Sequence, residues 1–315
     1  MLANKEEYWN LLRCPKTNFP LKLVDSHLIT DTVEANQQYE YPIINQTPVL
    51  VDFSQSVLDQ TETLKNSASS VVIRPERKGI QAFIKKVLTP EKKVTDDNIQ
   101  YLISLLKNQT PQPRILMIGG GSFGRGMKPF YEETDLKVIG FDIYTSPLTQ
   151  FVADAHQIPL ANESIDCVII QVVLEHVLDP HQVVAEIYRV LKPNGLVYSE
   201  TPFLQQVHEG AYDFTRFTES GHRYLFKNFA LIKSGATEGP GTQLLWTIDY
   251  FTRSLFRSRA IGKIFKLFFF WVQYLDNWIP QKYWIDSGSD MFFMGRKSDR
   301  VITPKEIIHH YQGAQ

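Results

Sequence analysis

Apolar and polar positions divide the chain into three zones. From Leu11 to Phe53, short apolar runs are separated by prolines, a pattern typical of a small β-rich module. Residues 54–70 are rich in Ser, Gln, Thr and Asn and show little apolar periodicity, so we place the first boundary there. From Thr95 onwards, apolar residues recur at helical intervals and predict a capped amphipathic helix that ends before Pro111.

Strand-like and helix-like patterns alternate between Arg114 and Ser199. Four short β-branched runs predict buried strands: residues 114–118, 137–141, 165–170 and 196–199. Between the last two runs, Pro180 to Leu191 carries apolar residues at helical spacing and closes at Pro193-Asn194-Gly195. Strands and helices alternating at this spacing predict an α/β fold of parallel βαβ units with right-handed crossovers.

Composition and charge narrow the class of protein. The 315 residues are 43% apolar and 21% charged with a net charge of -1, which excludes a disordered or collagen-like chain. Because basic and acidic residues balance, no global field favours nucleic acid, and no nucleic-acid partner is expected. Two cysteines are too few for a disulfide framework, the start is polar, and no window of ~20 residues lacks charge. We therefore expect a cytoplasmic protein without a transmembrane span.

A glycine-rich turn follows the first predicted strand. Residues 119–124 read Gly-Gly-Gly-Ser-Phe-Gly, and such a turn exposes backbone N–H groups to a ligand; a tight turn without any ligand is the alternative. The second strand ends at Asp142, roughly 20 residues further on, where a carboxylate accepts hydrogen bonds from the hydroxyls of a ribose. This arrangement suits NAD as well as S-adenosylmethionine.

The next segments distinguish between these cofactors. Four motifs follow in order along the chain: Asp154-Ala155-His156-Gln157-Ile158-Pro159, Ser164-Ile165-Asp166-Cys167-Val168, Leu174-Glu175-His176-Val177 and Arg189-Val190-Leu191-Lys192-Pro193-Asn194-Gly195. From Arg114 to Arg296 the chain resembles the class I S-adenosylmethionine-dependent methyltransferases, in the branch related to ubiquinone-biosynthesis methyltransferases. The resemblance implies a Rossmann-like, doubly wound, seven-stranded sheet and a methyltransferase of class EC 2.1.1.-, and it disfavours a NAD-dependent reductase.

The resemblance also implies a division into domains. We expect a small β-rich domain at residues 1–55, a linker with helices at 56–94, and the methyltransferase domain at 95–300. A helical insertion is expected at about 245–285, followed by a C-terminal tail at 301–315.

The resemblance implies a site for S-adenosyl-L-methionine made of seven residues: Gly119, Gly121, Asp142, Ile143, Asp154, Ala155 and Gln171. The glycines lie under the methionine portion of the cofactor. Asp142 holds the ribose, and Asp154 with Ala155 frames the adenine. Gln171 lies near the sulfonium. In this family an acidic residue usually stands where this chain has Met117, so a non-catalytic binding or regulatory protein with a degenerate fold is the alternative function.

Residues after the predicted strand 196–199 resemble a subgroup of these methyltransferases, many of whose members lie among genes for cell-surface polysaccharide or glycolipid assembly. The residues are Pro202-Phe203, His208 and Asp213-Phe214-Thr215-Arg216-Phe217-Thr218. A histidine here takes the proton of an acceptor hydroxyl, and a carboxylate orients its ring. We assign these catalytic roles to His208 and Asp213, and predict that His176 and Arg216 bind the acceptor, a sugar, polysaccharide precursor, glycolipid or other small molecule.

Structural explanations compete with these roles. Asp213 and Arg216 can form an ion pair while Thr218 caps the following helix, and His176 can cap a short turn. Positioning of the two reactants also drives methyl transfer to oxygen without a base. Both interpretations stay open at the level of the sequence.

The N-terminal module resembles the zinc-ribbon-like domain that partners tRNA and protein methyltransferases. The similarity rests on Cys14-Pro15 and on residues 41–50. Structural zinc needs four ligands, and Thr17 stands where the second cysteine would be. We therefore predict a module without metal, and no metal ligands elsewhere.

A basic and aromatic stretch lies near the C-terminus. Residues 253–266 carry five basic residues and no acidic one, and positions 261–279 predict one amphipathic helix. Its polar arc holds Arg259, Lys263, Lys266, Gln273, Asp276 and Asn277. Such a helix suits peripheral contact with an anionic membrane through 259–279. The alternatives are a helix packed over the catalytic domain and a homodimer interface.

Overall fold

A single mixed β-sheet runs through the protein, whose computed structural model describes residues 1–66 and 93–315. The strands are β1 (Leu21–Val24), β2 (His27–Thr30), β3 (Glu40–Ile44), β4 (Thr47–Leu50), β5 (Arg114–Ile118), β6 (Lys137–Asp142), β7 (Phe151–Ala153), β8 (Ile165–Gln171), β9 (Leu191–Pro202), β10 (Phe229–Glu238) and β11 (Asp290–Lys297). Their order in the sheet is β1-β2-β3-β4-β7-β6-β5-β8-β9-β11-β10.

Helices cover both faces of this sheet. The α-helices in the described part of the chain are α1 (Lys5–Tyr8), α2 (Gln60–Asn66), α3 (Lys93–Gln109), α4 (Lys128–Glu132), α5 (Pro180–Val190), α6 (Glu219–Leu225), α7 (Pro240–Leu255), α8 (Arg259–Phe268), α9 (Gln281–Ser287) and α10 (Pro304–Ile308). The apolar stripe of α3 packs in one core cluster with Met117 and Tyr198, whereas α5 packs in the other. The predicted α/β class and the helix ending before Pro111 are confirmed.

The parallel part of the sheet consists of β7, β6, β5, β8 and β9. β11 runs antiparallel to β9 and to β10, so the sheet is mixed at this end. The four runs predicted as buried strands correspond to β5, β6, β8 and β9. Because parallel strands end at one edge, their carboxyl-terminal loops are brought together there.

The N-terminal strands extend the same sheet. β1 to β4 form an antiparallel meander, and β4 pairs in parallel with β7 through Val49–Val152 and Leu50–Ala153. Tyr8, Leu12 and Cys14 are buried in the core cluster that also holds α5. The Sγ of Cys14 lies 3.2 Å from the Oη of Tyr41. Residues 1–55 therefore share a core with the α/β part, while the predicted linker at 56–94 lies partly outside the described residues.

Helical segments fill the connection between β10 and β11. They are α7, α8, a 3₁₀ segment at Phe270–Trp278, and α9. The prediction of one helix over 261–279 is wrong, because α8 ends at Phe268. Gln273 and Asp276 are buried instead of lying on an exposed polar arc. Asp276 accepts hydrogen bonds from the N–H groups of Gly241 and Thr242, so its carboxylate satisfies donors at the start of α7.

Candidate functional site

The glycine-rich turn lies at the carboxyl edge of the sheet, directly after β5. Gly119 has φ +73°, and a Cβ there would lie 2.4 Å from the Val173 side chain, so the turn needs glycine at this position. The N–H of Gly121 donates to Asp142 Oδ2 at 2.9 Å. The carboxylate that ends β6 therefore holds the turn that follows β5.

Asp142 lies at the predicted ribose position. Its Oδ1 accepts a second backbone hydrogen bond, from the N–H of Ile143 at 2.7 Å. Burial raises the pKa of Asp142 to about 6, and these two hydrogen bonds oppose that rise only in part. A carboxylate has about four acceptor positions, so two remain for ligand hydroxyls. The Ile143 side chain beside it is exposed.

Gln171, the last residue of β8, contacts a buried acid that the sequence analysis missed. Its Nε2 donates to Glu200 Oε2 at 2.8 Å and to the Arg125 carbonyl at 3.0 Å. Glu200 Oε1 accepts from Thr95 at 2.7 Å and from Tyr198 at 2.5 Å. The signal for Glu200 was its place at the end of β9, opposite Gln171 in register. A buried acid thus lies at this edge although β5 carries Met117.

Asp154 is buried where the resemblance places the adenine. Its Oδ1 lies 2.6 Å from His156 Nδ1, and Ser56 donates to its Oδ2. Burial would raise the pKa of Asp154, but hydrogen bonds from His156 and Ser56 outweigh burial and lower it. Ala155 is buried beside it. A residue of the N-terminal segment therefore contacts the predicted adenine position.

On the acceptor side, His208 lies beside Asp213. The N–H of His208 donates to Asp213 Oδ2 at 2.9 Å, and His208 Nδ1 lies 3.5 Å from the same oxygen. Arg216 donates to both oxygens of Asp213, and its hydrogen bonds hold the pKa of that carboxyl well below its usual range. Thr218 accepts from the Gly221 N–H at 3.1 Å and caps α6. The ion pair, the cap and the His208 contact therefore coexist.

His176 meets His208 at the same edge. Val172, with φ +56°, reverses the chain after β8, and a 3₁₀ turn at Leu174–His176 follows. The two imidazole rings lie edge to face with centroids 5.0 Å apart. His176 Nδ1 lies 2.6 Å from the Tyr212 carbonyl oxygen, and burial lowers the pKa of His176. His176 thus bonds to a distant segment and faces the acceptor loop.

Glu175 lies beneath the two histidines and was also missed from the sequence. Its side chain is 0% exposed, and neither carboxylate oxygen has a hydrogen-bond partner among the described residues. Burial raises the pKa of Glu175 to about 8. The only sequence signal was its place in the Leu174–Val177 motif, which says nothing about burial.

An open cavity of about 530 Å³ adjoins Asp213. It is lined by Gln205, Gln206, Val207, Asp213, Phe214, Thr215, Arg216 and Tyr250. Tyr250 belongs to α7 and donates to the Val207 carbonyl at 2.8 Å. The helical insertion therefore forms one wall of the cavity next to His208.

Comparisons with known proteins show which proteins parts of this chain resemble. A family model described as a methyltransferase domain matches residues 116–199. A segment of 51 residues, 16% of this chain and 15% of the relative, is 45% identical to an uncharacterised 37.1 kDa protein in transposon TN4556 of Streptomyces fradiae. The chain thus matches well under two thirds of that relative's length.

Two solved structures are also similar to the chain. One is phosphoethanolamine N-methyltransferase 2 of Haemonchus contortus in complex with S-adenosyl-L-methionine, at 14% identity, covering 89% of this chain and 71% of that chain with a TM-score of 0.45. The other is a SAM-dependent methyltransferase from Methanosarcina mazei, at 16% identity, covering 62% and 97% with a TM-score of 0.38.

The family match over residues 116–199 agrees with the predicted class of enzyme. These residues match a methyltransferase domain, in agreement with S-adenosyl-L-methionine as the cofactor. The ubiquinone-biosynthesis branch, the zinc-ribbon-like origin of the N-terminal module and the individual site residues stay predictions.

Proposed function

We propose that this protein transfers a methyl group from S-adenosyl-L-methionine to a hydroxyl of a small acceptor, namely a sugar, a polysaccharide precursor or a glycolipid. The observation that carries the proposal is the meeting of two sets of residues at one sheet edge. Asp142 and the glycine turn lie on the cofactor side. His208, Asp213 and the cavity lie on the acceptor side.

Cofactor binding is assigned to the seven residues expected from the sequence. Asp142 accepts the ribose hydroxyls, and the N–H groups of the 119–124 turn face the methionine portion. Glu200, held through Gln171, supplies the negative charge for the cofactor's amino group that Met117 lacks. This contact supports a catalytic domain over a degenerate one.

A hydroxyl acceptor suits the residues around the cavity. During transfer, the bond between the methyl carbon and sulfur breaks, the bond between carbon and the acceptor oxygen forms, and the hydroxyl proton must leave. The Nε2 of His208 is the atom available for this activation, because Nδ1 faces Asp213 Oδ2 and the Gln206 carbonyl. Arg216 and His176 then orient the acceptor.

The test is release of S-adenosylhomocysteine from labelled cofactor with free sugars, nucleotide sugars, glycolipids and amines as acceptors. We expect turnover with a hydroxyl acceptor. His208→Gln should lower turnover by ~100-fold or more while leaving cofactor affinity unchanged. His181→Gln, on the exposed face of α5, is the control. Cofactor binding without transfer to any acceptor would favour the non-catalytic alternative, and transfer to amines alone would contradict the hydroxyl.

We also propose that the acceptor is linked to a lipid and that the insertion contacts the membrane. Among residues 1–66 and 93–315 no helix has the length and apolar character needed to cross a bilayer. The insertion nevertheless exposes large apolar side chains, which we call the aromatic face: Phe251, Leu255, Phe256, Ile264, Leu267, Phe268, Trp271 and Trp278. Trp278 is 82% exposed and Phe268 is 72% exposed. These eight exposed large apolar side chains within residues 251–278 support an interaction site in this segment.

The basic residues around the aromatic face favour an anionic lipid surface as its partner. Arg257, Arg259 and Lys263 are exposed beside it, and residues 253–266 carry no acid. Lys266 is not available for lipid, because its ammonium lies 3.5 Å from the centroid of the Trp246 ring. The cavity wall residue Tyr250 precedes Phe251 of the aromatic face, so a docked insertion would hold the cavity near the membrane surface.

Co-sedimentation with vesicles tests this contact. We expect salt-sensitive binding to vesicles containing phosphatidylserine and little binding to phosphatidylcholine alone. Arg259→Glu with Lys263→Glu should weaken binding by at least ~30-fold, from ~1 kcal/mol for each basic residue. Lys22→Glu with Lys305→Glu makes the same change in net charge on other surfaces and should bind normally. A different outcome would assign the aromatic face to a homodimer interface. In that case the protein does not pellet with vesicles, and analytical sedimentation shows a dimer that Phe268→Ser dissociates.

A further inference from the structure

Three side chains converge at the acceptor edge in a way that hydrogen bonding among them does not explain. His176 Nε2 lies 3.7 Å from Glu175 Oε1, and His208 Nε2 lies 3.9 Å from the same oxygen. The three ligand atoms lie within 4.8 Å of one another. These distances are too long for hydrogen bonds, and a buried carboxylate without a partner is costly.

The other nitrogen of each histidine is already occupied. His176 Nδ1 lies 2.6 Å from the Tyr212 carbonyl oxygen, which accepts a hydrogen bond from it. His208 Nδ1 lies 3.4 Å from the Gln206 carbonyl and 3.5 Å from Asp213 Oδ2. These acceptors favour the tautomers that carry hydrogen on Nδ1. Each Nε2 then keeps a lone pair free for a ligand, 3.7 Å and 3.9 Å from Glu175 Oε1. Histidine ligands of metals are held by outer partners of the same kind.

From this geometry we propose that Glu175, His176 and His208 bind a divalent transition-metal ion. Ligand atoms about 2.1 Å from a tetrahedral ion lie about 3.4 Å from one another. The two contacts to Glu175 Oε1, at 3.7 and 3.9 Å, would shorten by about 0.3–0.5 Å on binding, and all three ligand atoms already lie within 4.8 Å of one another. Two imidazoles and one carboxylate suit zinc, iron or another ion of that group better than magnesium. Three protein ligands leave a position open for an oxygen from the cavity side.

The role of the ion rests on the proposed function, whereas the site itself does not. An acceptor hydroxyl at the open position would become more acidic, and its proton would leave to water as the oxygen attacks the methyl group. His208 would then activate the acceptor as a ligand of the ion. Asp213 is a positioning residue in this arrangement, because it holds the His208 ring through Nδ1.

The experiment is titration of the chelator-treated full-length protein with Co²⁺ and Zn²⁺. We expect one equivalent of Co²⁺ to give visible d–d absorption that Zn²⁺ abolishes, with Mg²⁺ binding far more weakly. Glu175→Gln and His208→Gln should each weaken Co²⁺ binding by more than the 10- to 100-fold that loss of an outer partner costs. His310→Gln is the matched control, since His310 contacts the buried Glu219 at 2.6 Å without a second histidine.

Two results would overturn the proposal. One is Co²⁺ binding by the unaltered protein that is weak, non-stoichiometric or without d–d absorption. The other is stoichiometric Co²⁺ binding that persists in the His208→Gln variant. Because His208 is partly exposed and lies in a loop, this substitution leaves no buried position to be repacked, and the variant is expected to fold. S-adenosylhomocysteine affinity, measured on the same samples, separates the cases. If S-adenosylhomocysteine binds but Co²⁺ does not, the proposed metal site is rejected while the proposed methyl transfer is not affected.

Discussion

Replacing Asp142 by asparagine tests the cofactor site with little change in shape. The amide oxygen can keep one of the two backbone hydrogen bonds, from Gly121 or Ile143, but the negative charge is lost. A hydrogen bond to a charged group contributes ~1.5–3 kcal/mol, and 1.4 kcal/mol is a factor of ten. We therefore expect Asp142→Asn to weaken S-adenosylhomocysteine binding by ~10- to 150-fold.

The raised pKa of Asp142 adds a pH dependence to the same experiment. Burial raises this pKa to about 6, so the free protein is ionised at pH 7.5 and mostly protonated at pH 5. Since the ribose contact needs the ionised form, affinity should fall by roughly tenfold for each pH unit below 6. An aspartate with an ordinary pKa near ~3.9 would leave affinity flat over this range.

Calorimetric titration with S-adenosylhomocysteine between pH 5 and 8 measures both effects. Asp142→Asn should remove the pH dependence as well as the affinity. Asp166→Asn is the control, because Asp166 pairs with Lys192 near the start of β8, at the edge away from the cofactor. An affinity that is flat with pH in the unaltered protein and changes less than about threefold in Asp142→Asn would refute the ribose assignment.

Two further predictions concern His222 and Gly124. Burial lowers the pKa of His222 to about 3. As the pH falls below about 6.5, His222 therefore becomes protonated in the unfolded chain but stays neutral in the folded protein. Its contribution to stability is therefore full above pH 6.5 and is lost by ~1.4 kcal/mol per unit as pH falls toward 3. His222→Phe should reduce that slope by one proton in urea unfolding, and equal slopes would contradict the burial argument. A Cβ at Gly124 would lie 2.0 Å from Gln171 Oε1, so Gly124→Ala should displace Gln171 from Glu200 and weaken S-adenosylhomocysteine binding. The loss should largely disappear in a Gln171→Ala background, and full additivity would count against this contact.

Local patterns determined the order of elements and the cofactor side of the site. The alternation of short β-branched runs with helical spacing predicted β5, β6, β8 and β9, because strand and helix periodicities are local properties. Asp142 was predicted because the end of a strand and the preceding glycine turn are themselves visible in the sequence. The structure brings Asp142 to Gly121 as that pattern requires.

The residues of the acceptor side were predicted only in part from the sequence, because their contacts join segments that are far apart in the chain. His208 and Asp213 lie five positions apart and were predicted together. Glu175 and Glu200 were missed, because burial and the loss of hydrogen-bond partners depend on what packs over a side chain. Residue spacing does not carry that information.

Tertiary contacts also determined where hydrophobic periodicity fails to predict the secondary structure and its position in the fold. The stretch 261–279 has helical periodicity, yet α8 ends at Phe268, and Asp276 in the following 3₁₀ segment accepts hydrogen bonds from the N–H groups that begin α7. Likewise, the β-rich pattern of residues 11–53 predicted strands but not their place in the fold. The pairing of β4 with β7 joins these strands to the main sheet. Periodicity sets which face of an element is apolar, whereas the partner that buries that face is set by the whole chain.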